Sequence, residues 1–234
     1  MLVLGVDTAT DYAVVGATAD DEVLHEASIG PEPGGRPRHS EVLLPEIERS
    51  VQAAGGWDRI ERIAIGIGPG SFTGLRIGIA TARALAQARG LPLAPVVSLA
   101  ALGRGIRERR RADLALPVFD ARRGEAFAAL FERDGEEVWL PFVGPPDELA
   151  DRVHDLDRAP LAAGDGALRF AAELEAAGAT VAPPEDAIHR VAARHVCEVG
   201  EAAAEAPTDQ IQPLYLRPPD AKRWRERDRG IPGG

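Results

Sequence analysis

The chain has 234 residues, 45% of them hydrophobic, with 27 basic against 37 acidic side chains and a formal net charge of −10. That length suits one large or two small globular domains, each able to bury a core. The charge argues against a nucleic-acid-binding surface over the whole molecule, because such binding is driven by lysine and arginine. The one cysteine, Cys197, excludes an internal disulfide, and no run approaches the roughly 18 apolar residues of a membrane span. Met1 leads straight into a strand pattern without the regions of a signal peptide, so the expected location is cytoplasmic.

Leu2 to Val6 reads as a short apolar strand ending at Asp7, and Thr8-Ala9-Thr10-Asp11 turns the chain. Tyr12 to Thr18 and Val23 to Ile29 continue as strands around a turn at Ala19-Asp20-Asp21, which makes an antiparallel meander. Gly30 to Pro37 is a loop. His39-Ser40-Glu41 opens a helix with Val42, Leu43, Ile47 and Val51 at helical spacing, ended by Gly55-Gly56. The run Arg62 to Ile67 is a buried strand, Gly68-Pro69-Gly70 breaks it, and Ser71 or Thr73 caps a helix reaching Arg89 before Gly90. Leu93 to Val97 forms another strand, followed by a helix from Ser98 to about Arg110.

A repeat then begins. Leu114 to Phe119 is an apolar strand ending at Asp120, Ala121-Arg122-Arg123-Gly124 turns it, and Glu125 to Phe131 and Val138 to Val143 complete a second three-strand unit. Gly144-Pro145-Pro146 follows as a break. Next come a strand near Leu161 to Ala163, the turn Gly164-Asp165-Gly166, and helices at about Ala167–Ala177 and Ile188–Ala203. The tail beyond Pro218 sets Lys222, Arg223, Arg225, Arg227 and Arg229 against Asp220, Glu226 and Asp228. It reads as a frayed terminus or as a weak contact for RNA or an acidic partner.

The glycine-rich segment Gly66 to Gly78 has the strand–loop–helix order of a phosphate cradle, but its spacings match none of the usual ones. From Gly68 the third glycine of G-x-G-x-x-G falls on Thr73, and the only lysine of the chain, Lys222, is far from any P-loop position. Ser71 lacks the flanking glycines of a nucleophile elbow. Gly74, Gly78, Ala82 and Ala86 recur every four residues and form a stripe of very small side chains on one helix face. The stripe permits close packing, either on the protein's own sheet or against another helix, in this chain or in a partner. Asp7 and Asp120 end corresponding strands, where they would face each other across a cleft and could hold a nucleotide's magnesium through water, or simply cap their turns. Gly164 and Gly166 would let backbone approach a ligand, or form an ordinary turn. His189 and His195 fall on different helix faces, which argues against zinc or iron, and Cys197 reads as a buried structural cysteine.

Several stretches together resemble one family, the bacterial tRNA threonylcarbamoyladenosine biosynthesis protein TsaB, also called YeaZ. They are Gly68 to Gly78, Val6 to Thr10, His39-Ser40 with Leu43-Leu44-Pro45, Asp120 to Glu125, and the ending Pro213-Leu214-Tyr215-Leu216-Arg217. The resemblance spans Leu2 to Arg217. It implies an α/β, two-lobed fold of the actin, hexokinase and Hsp70 ATPase type, with lobes near 1–100 and 101–217 and a polar tail at 218–234. It also implies a non-catalytic scaffold for a TsaD-like catalytic subunit which, with a TsaE-like ATPase, transfers a threonylcarbamoyl group to the tRNA adenosine beside the anticodon. tRNA would be reached only through the complex.

The catalytic relative carries a four-spaced histidine pair after a strand, whereas the matching positions here are Ser98 and Leu102. The first phosphate hairpin lacks the usual glycine, so no cofactor is required and ATP or ADP binding would be weak, at a degenerate site of Asp7, Thr8, Asp120, Gly164 and Gly166. The expected partner interface, serving a homodimer as well as the catalytic subunit, is Leu43, Ile47, Ser71, Phe72, Gly74, Arg76, Gly78 and Ala82. The rival reading is an active ATPase or sugar-kinase-like enzyme of the same fold. A glycopeptidase, an old label of the wider family, has no metal pair or nucleophile elbow to support it.

Overall fold

The computed structural model describes residues 1–217, apart from Asp21 and Arg111 and the side chains of Arg109 and Arg110; the basic tail singled out above lies outside the described residues. Two five-stranded sheets are built on one plan. In the first, β1 (Leu2–Asp7), β2 (Ala13–Ala19) and β3 (Glu22–Ile29) form the antiparallel meander. β4 (Arg62–Gly68) and β5 (Leu93–Val97) then add in parallel on the other side of β1, giving the order β3-β2-β1-β4-β5. In the second, β6 (Leu114–Arg122), β7 (Glu125–Glu132) and β8 (Glu137–Gly144) repeat the meander. β9 (Leu161–Ala163) and β10 (Thr180–Val181) repeat the parallel half, giving β10-β9-β6-β7-β8. The duplication expected from sequence is therefore a duplication of topology.

Helices complete the layers. α1 (His39–Ala53) and α2 (Phe72–Arg89) cover one face of the first sheet, and Leu43, Ile47, Leu75, Ile79 and Ala82 are buried there with Leu4, Ile63 and Ile65. α4 (Pro146–His154), α5 (Asp165–Arg169) and α6 (Ala171–Ala176) cover the outer face of the second sheet. α3 (Ser98–Arg110) and α7 (Ala193–Ala202) lie between the sheets in a shared core with Val3, Phe119 and Phe131. The connections exchange sides. α3 leaves the first sheet to pack on β6 and β7, while α7 comes back from the second sheet to lie on β1, β2 and β4.

α7 gets close because of Gly5 and Gly16 on the sheet beneath it. A Cβ on Gly5 would lie 2.6 Å from Cys197 Sγ, and one on Gly16 would lie 2.7 Å from Ala193 Cβ.

Most boundaries match the sequence reading. Ser71 caps α2, its side chain accepting from Gly74 N–H at 3.2 Å, and Gly90 closes the helix in the left-handed region at φ 65°. β10 and a 3-10 turn at Trp57–Arg59 are short additions, and three longer stretches differ. α4 follows the break at Gly144-Pro145-Pro146 where the sequence reading has no element, and Pro146 at the first turn, Asp147 and Glu148 beside it, and buried Leu149 and Val153 spaced by four make it an amphipathic helix. The helix expected over 167–177 is two helices that meet at Phe170, and the helix expected from Ile188 is a 3-10 turn, Ala187–His189, followed by α7.

Candidate functional site

The centre of the first lobe is the turn that follows β1. Asp7 is wholly buried, with Oδ1 accepting from Ala9 N–H at 2.8 Å and Oδ2 from the Ser98 hydroxyl at 2.5 Å. Ser98 Oγ in turn accepts from Gly68 N–H at 3.2 Å. Burial pushes the Asp7 carboxyl above its ordinary range, against the two hydrogen bonds that favour its ionised form. The Thr8 hydroxyl donates to the Gly74 carbonyl at 2.8 Å.

The glycines of the central segment fold around this turn. A Cβ at Gly66 would stand 1.8 Å from Asp7 Oδ2, and one at Gly78 would stand 2.2 Å from Thr8 Oγ1. Gly70 and Gly74 are as close to the Ala9 and Thr8 carbonyl oxygens, and Ser71 N–H donates to the Ala9 carbonyl at 2.7 Å. Of the two partners the small-residue stripe could have, it takes its own β1–β2 turn.

That corrects the interface residues named from sequence. Gly74, Gly78 and Ala82 face inward, and Leu43 and Ile47 are 2% exposed, so no second chain can reach them in the folded protein. Ser71 is partly buried as the helix cap, and Phe72 and Arg76 do reach the surface. Phe72 is 38% exposed and stacks on Tyr215 with ring centroids 5.3 Å apart. The Arg76 guanidinium lies 4.0 Å over the Phe72 ring, and its Nε donates to the Tyr215 hydroxyl at 3.2 Å. On the neighbouring helix Leu44, adjacent to buried Leu43, is 57% exposed. The exposure of Leu44 and Tyr215 was not legible in the sequence, since Leu44 lies three and seven positions before Ile47 and Val51 and so shares their helical spacing.

In the second lobe the turn after β6 faces the first turn. Arg122 reaches Asp11 with Nη2 at 3.0 and 2.9 Å from the two carboxylate oxygens, and its Nη1 lies 3.4 Å from Asp120 Oδ2. Arg169 holds the same Asp120 oxygen at 2.7 Å, and Asp120 Oδ1 accepts from Arg122 N–H at 2.8 Å. The equivalent turns thus meet between the lobes, with Asp120 on that junction and Asp7 sealed within its own lobe. Asp165, which accepts from Asp120 N–H at 3.2 Å, is pushed upward in pKa chiefly by burial.

Gly164 and Gly166 admit backbone, but the backbone is that of β6: their Cβ atoms would lie 2.0 Å from the Val118 carbonyl oxygen and 2.5 Å from Phe119 C. His189 fixes this loop, its Nδ1 accepting from Gly164 N–H at 3.1 Å while Nε2 donates to the Ala182 and Pro183 carbonyls. A hydrated magnesium needs carboxylate oxygens open to water. Asp7 offers none in this form, and those of Asp120 are taken by arginines.

Of the positions matching the relative's histidine pair, Ser98 belongs to the Asp7 network and Leu102 to the core between the sheets. Among the described residues, Glu108, His195 and Glu198 bring three potential metal-ligand atoms within 4.8 Å of one another. Those donors already have neighbours. His195 Nε2 bonds Glu108 Oε2 at 2.6 Å, and Arg104 Nε lies 2.9 Å from Glu198 Oε2. Glu108 and His195 border a cavity of about 430 Å³ between β3, α3 and α7 that is also edged by the Glu26–Arg194 ion pair. Cys197 is buried, and desolvation pushes its thiol up to about 12. No helix among the described residues is long and apolar enough to cross a membrane.

Comparison with known proteins agrees with this architecture. The family model for TsaD, the tRNA N6-adenosine threonylcarbamoyltransferase, matches residues 18–155. The tRNA threonylcarbamoyladenosine biosynthesis protein TsaB of Escherichia coli is 31% identical over 171 residues, covering 71% of this chain and 72% of that protein. The Haemophilus influenzae protein of the same name is 25% identical over 93% of this chain and 94% of its own length. The solved structure of YeaZ from Pseudomonas aeruginosa superposes with a TM-score of 0.77 at 23% identity, covering 92% of this chain and 99% of that one. With the duplicated sheets, the turn-bound glycine segment and these relatives in agreement, the chain belongs to the TsaB (YeaZ) family and has its two-lobed actin-type fold.

Proposed function

We propose that this chain acts in the formation of threonylcarbamoyladenosine on tRNA as a non-catalytic subunit, docking onto a TsaD-like catalytic relative that works with a TsaE-like ATPase. Family membership supplies the pathway. The observation that carries the non-catalytic part is the state of Asp7: a carboxylate with no exposure, bonded to Ser98 and Ala9 and roofed by Gly66, is spent on holding the fold. Any ATP or ADP held by the Asp120 junction would be bound weakly, because the Asp120 oxygens and the Gly164–Gly166 backbone are already engaged within the chain.

Docking is assigned to the α1–α2 side of the first lobe, where Phe72, Tyr215, Arg76 and Leu44 are accessible. Aromatic and arginine side chains are the types that anchor protein interfaces. The same face serves self-association when the chain is alone, and tRNA is met through the complex.

Co-purification with the catalytic relative tests this reading. Phe72→Glu and Leu44→Arg, both at exposed positions, are expected to weaken the complex by tenfold or more while leaving the isolated chain folded by circular dichroism. The isolated chain is expected to turn over ATP far below an ordinary enzyme rate of about 1 per second. Turnover at that rate, lost in Asp7→Asn, or undiminished capture of both surface variants, overturns the proposal.

A further inference from the structure

The last described residues form a strap between the lobes. Ile211 is buried in the first-lobe core, and Leu214 N–H donates to the Ile67 carbonyl at 2.8 Å at the end of β4. Tyr215 then lies on Phe72 and Arg76 at the surface of α2, and Leu216, partly buried, packs against the core between the sheets. Arg217 reaches the second lobe, where it is paired with Glu125 and donates from Nη2 to the Ala121 carbonyl at 3.1 Å. Ala121 and Glu125 flank the turn whose Arg122 crosses to Asp11. That turn holds two successive non-glycine residues in the left-handed region, Arg122 at φ 63° and Arg123 at φ 57°. Such a conformation persists only where surrounding contacts fix it.

From this geometry we propose that the strap Leu214–Arg217 links the exposed Phe72–Arg76–Tyr215 cluster to the latch between the lobes. Tyr215 and Arg217 are two residues apart, so a displacement of Tyr215 on the first lobe is carried by a short, doubly anchored segment into the 121–125 turn. Without Arg217 the turn loses one side-chain contact on each of its flanks, and Arg122 is held less firmly toward Asp11. The latch is built to yield: the Arg122 and Asp11 side chains are 62% and 38% exposed, and ion pairs of that exposure are weak. Whatever lifts Tyr215 from Phe72 therefore loosens the junction between the lobes. The proposal concerns the chain alone and stands whichever molecule covers the α2 surface.

Hydrogen exchange read by mass spectrometry on the full chain tests it. Arg217→Ala is expected to raise exchange about two- to fivefold in the 8–12 turn of the opposite lobe as well as in 120–126, the size expected for loss of a partly exposed ion pair. Tyr215→Ala should act on both turns in the same direction. The charge exchange Arg217→Glu with Glu125→Arg should restore protection that either single change removes. Asp11→Asn should raise exchange at 8–12 and 120–126 and leave 213–217 as it was. An increase confined to the strap in Arg217→Ala or Tyr215→Ala, or a charge exchange that restores nothing at 8–12, overturns the link. A variant that lost its fold would raise exchange throughout β1 and β6, and the surface change Tyr215→Ala then decides alone.

Discussion

Asp7 Oδ2 accepts a hydrogen bond of 2.5 Å from the hydroxyl of Ser98, 91 residues further along the chain. That one contact ties the end of β1 to the first residue of α3, and through Gly68 N–H it also fixes the end of β4. Two neighbouring strands of the first sheet and a helix of the layer between the sheets are pinned at a single buried carboxylate.

Ser98→Ala is expected to destabilise the protein by about 1–3 kcal/mol, since it leaves a buried carboxylate oxygen and Gly68 N–H without partners. The loss should grow with pH. Asp7 already has a folded-state pKa above its ordinary 3.8, so its contribution is fully present below that value and declines as pH rises through the folded-state pKa. Removing the Ser98 hydroxyl raises that pKa further and adds a penalty on the ionised form. Urea unfolding at pH 5 and pH 8 measures this, with the larger loss expected at pH 8.

Gly78→Ala places a methyl 2.2 Å from Thr8 Oγ1, which is held in place by its hydrogen bond to the Gly74 carbonyl. A cost of about 1–3 kcal/mol from overpacking is expected. The variant should show it in the unfolding of the isolated chain, with no partner present. A normal unfolding midpoint would show that the β1–β2 turn moves away from α2 without cost.

His39 and His195 are both held below the ordinary histidine value of 6.5, chiefly by burial, and against the pull of the Glu108 carboxylate in the case of His195. The unfolded chain therefore binds more protons than the folded chain just below pH 6.5, and stability falls as pH drops through that value. The histidine contribution to the thermal midpoint should decline accordingly between pH 8 and pH 5.5, opposite in sign to that of Asp7. His195→Gln is expected to have a shallower decline than the parent, and an identical slope would remove His195 from the account.

Cys197 has its thiol buried on Gly5 and pushed up to about 12 in pKa, so almost no thiolate exists at neutral pH. A thiol-directed reagent at pH 7.5 is expected to leave the native chain unlabelled for hours and to modify one group per chain within minutes in strong denaturant. Fast labelling without denaturant would show that α7 lifts from β1 and β2.

Local chemistry was legible wherever neighbours in sequence supply the cause. The apolar runs of β1, β4 and β6, the Ser71 cap, the Gly90 stop and the repeated strand–Asp–turn–strand units could be read directly, because each depends on residues a few positions apart. The stripe of Gly74, Gly78 and Ala82 shows the limit. A four-residue period establishes that one face is small and says nothing of what lies against it. Docking on the Asp7–Thr8–Ala9 turn depends on β1 and β4 lying side by side, a relation between segments about 60 residues apart in the register Val3 to Arg62.

The same holds for the site. From sequence alone Asp7 and Asp120 are equal, two aspartates at equivalent strand ends. Only the packed chain distinguishes them, because Ser98 and Gly66 close over the first, while Arg122 and Arg169 bring the second to the junction between the lobes. The sequence by itself determined the strands, the caps, the duplicated plan and the family. Burial decided which residues are spent inside the fold and which, like Phe72 and Tyr215, stay at the surface. Burial is a property of all the segments packed together, and no window of neighbouring residues contains it.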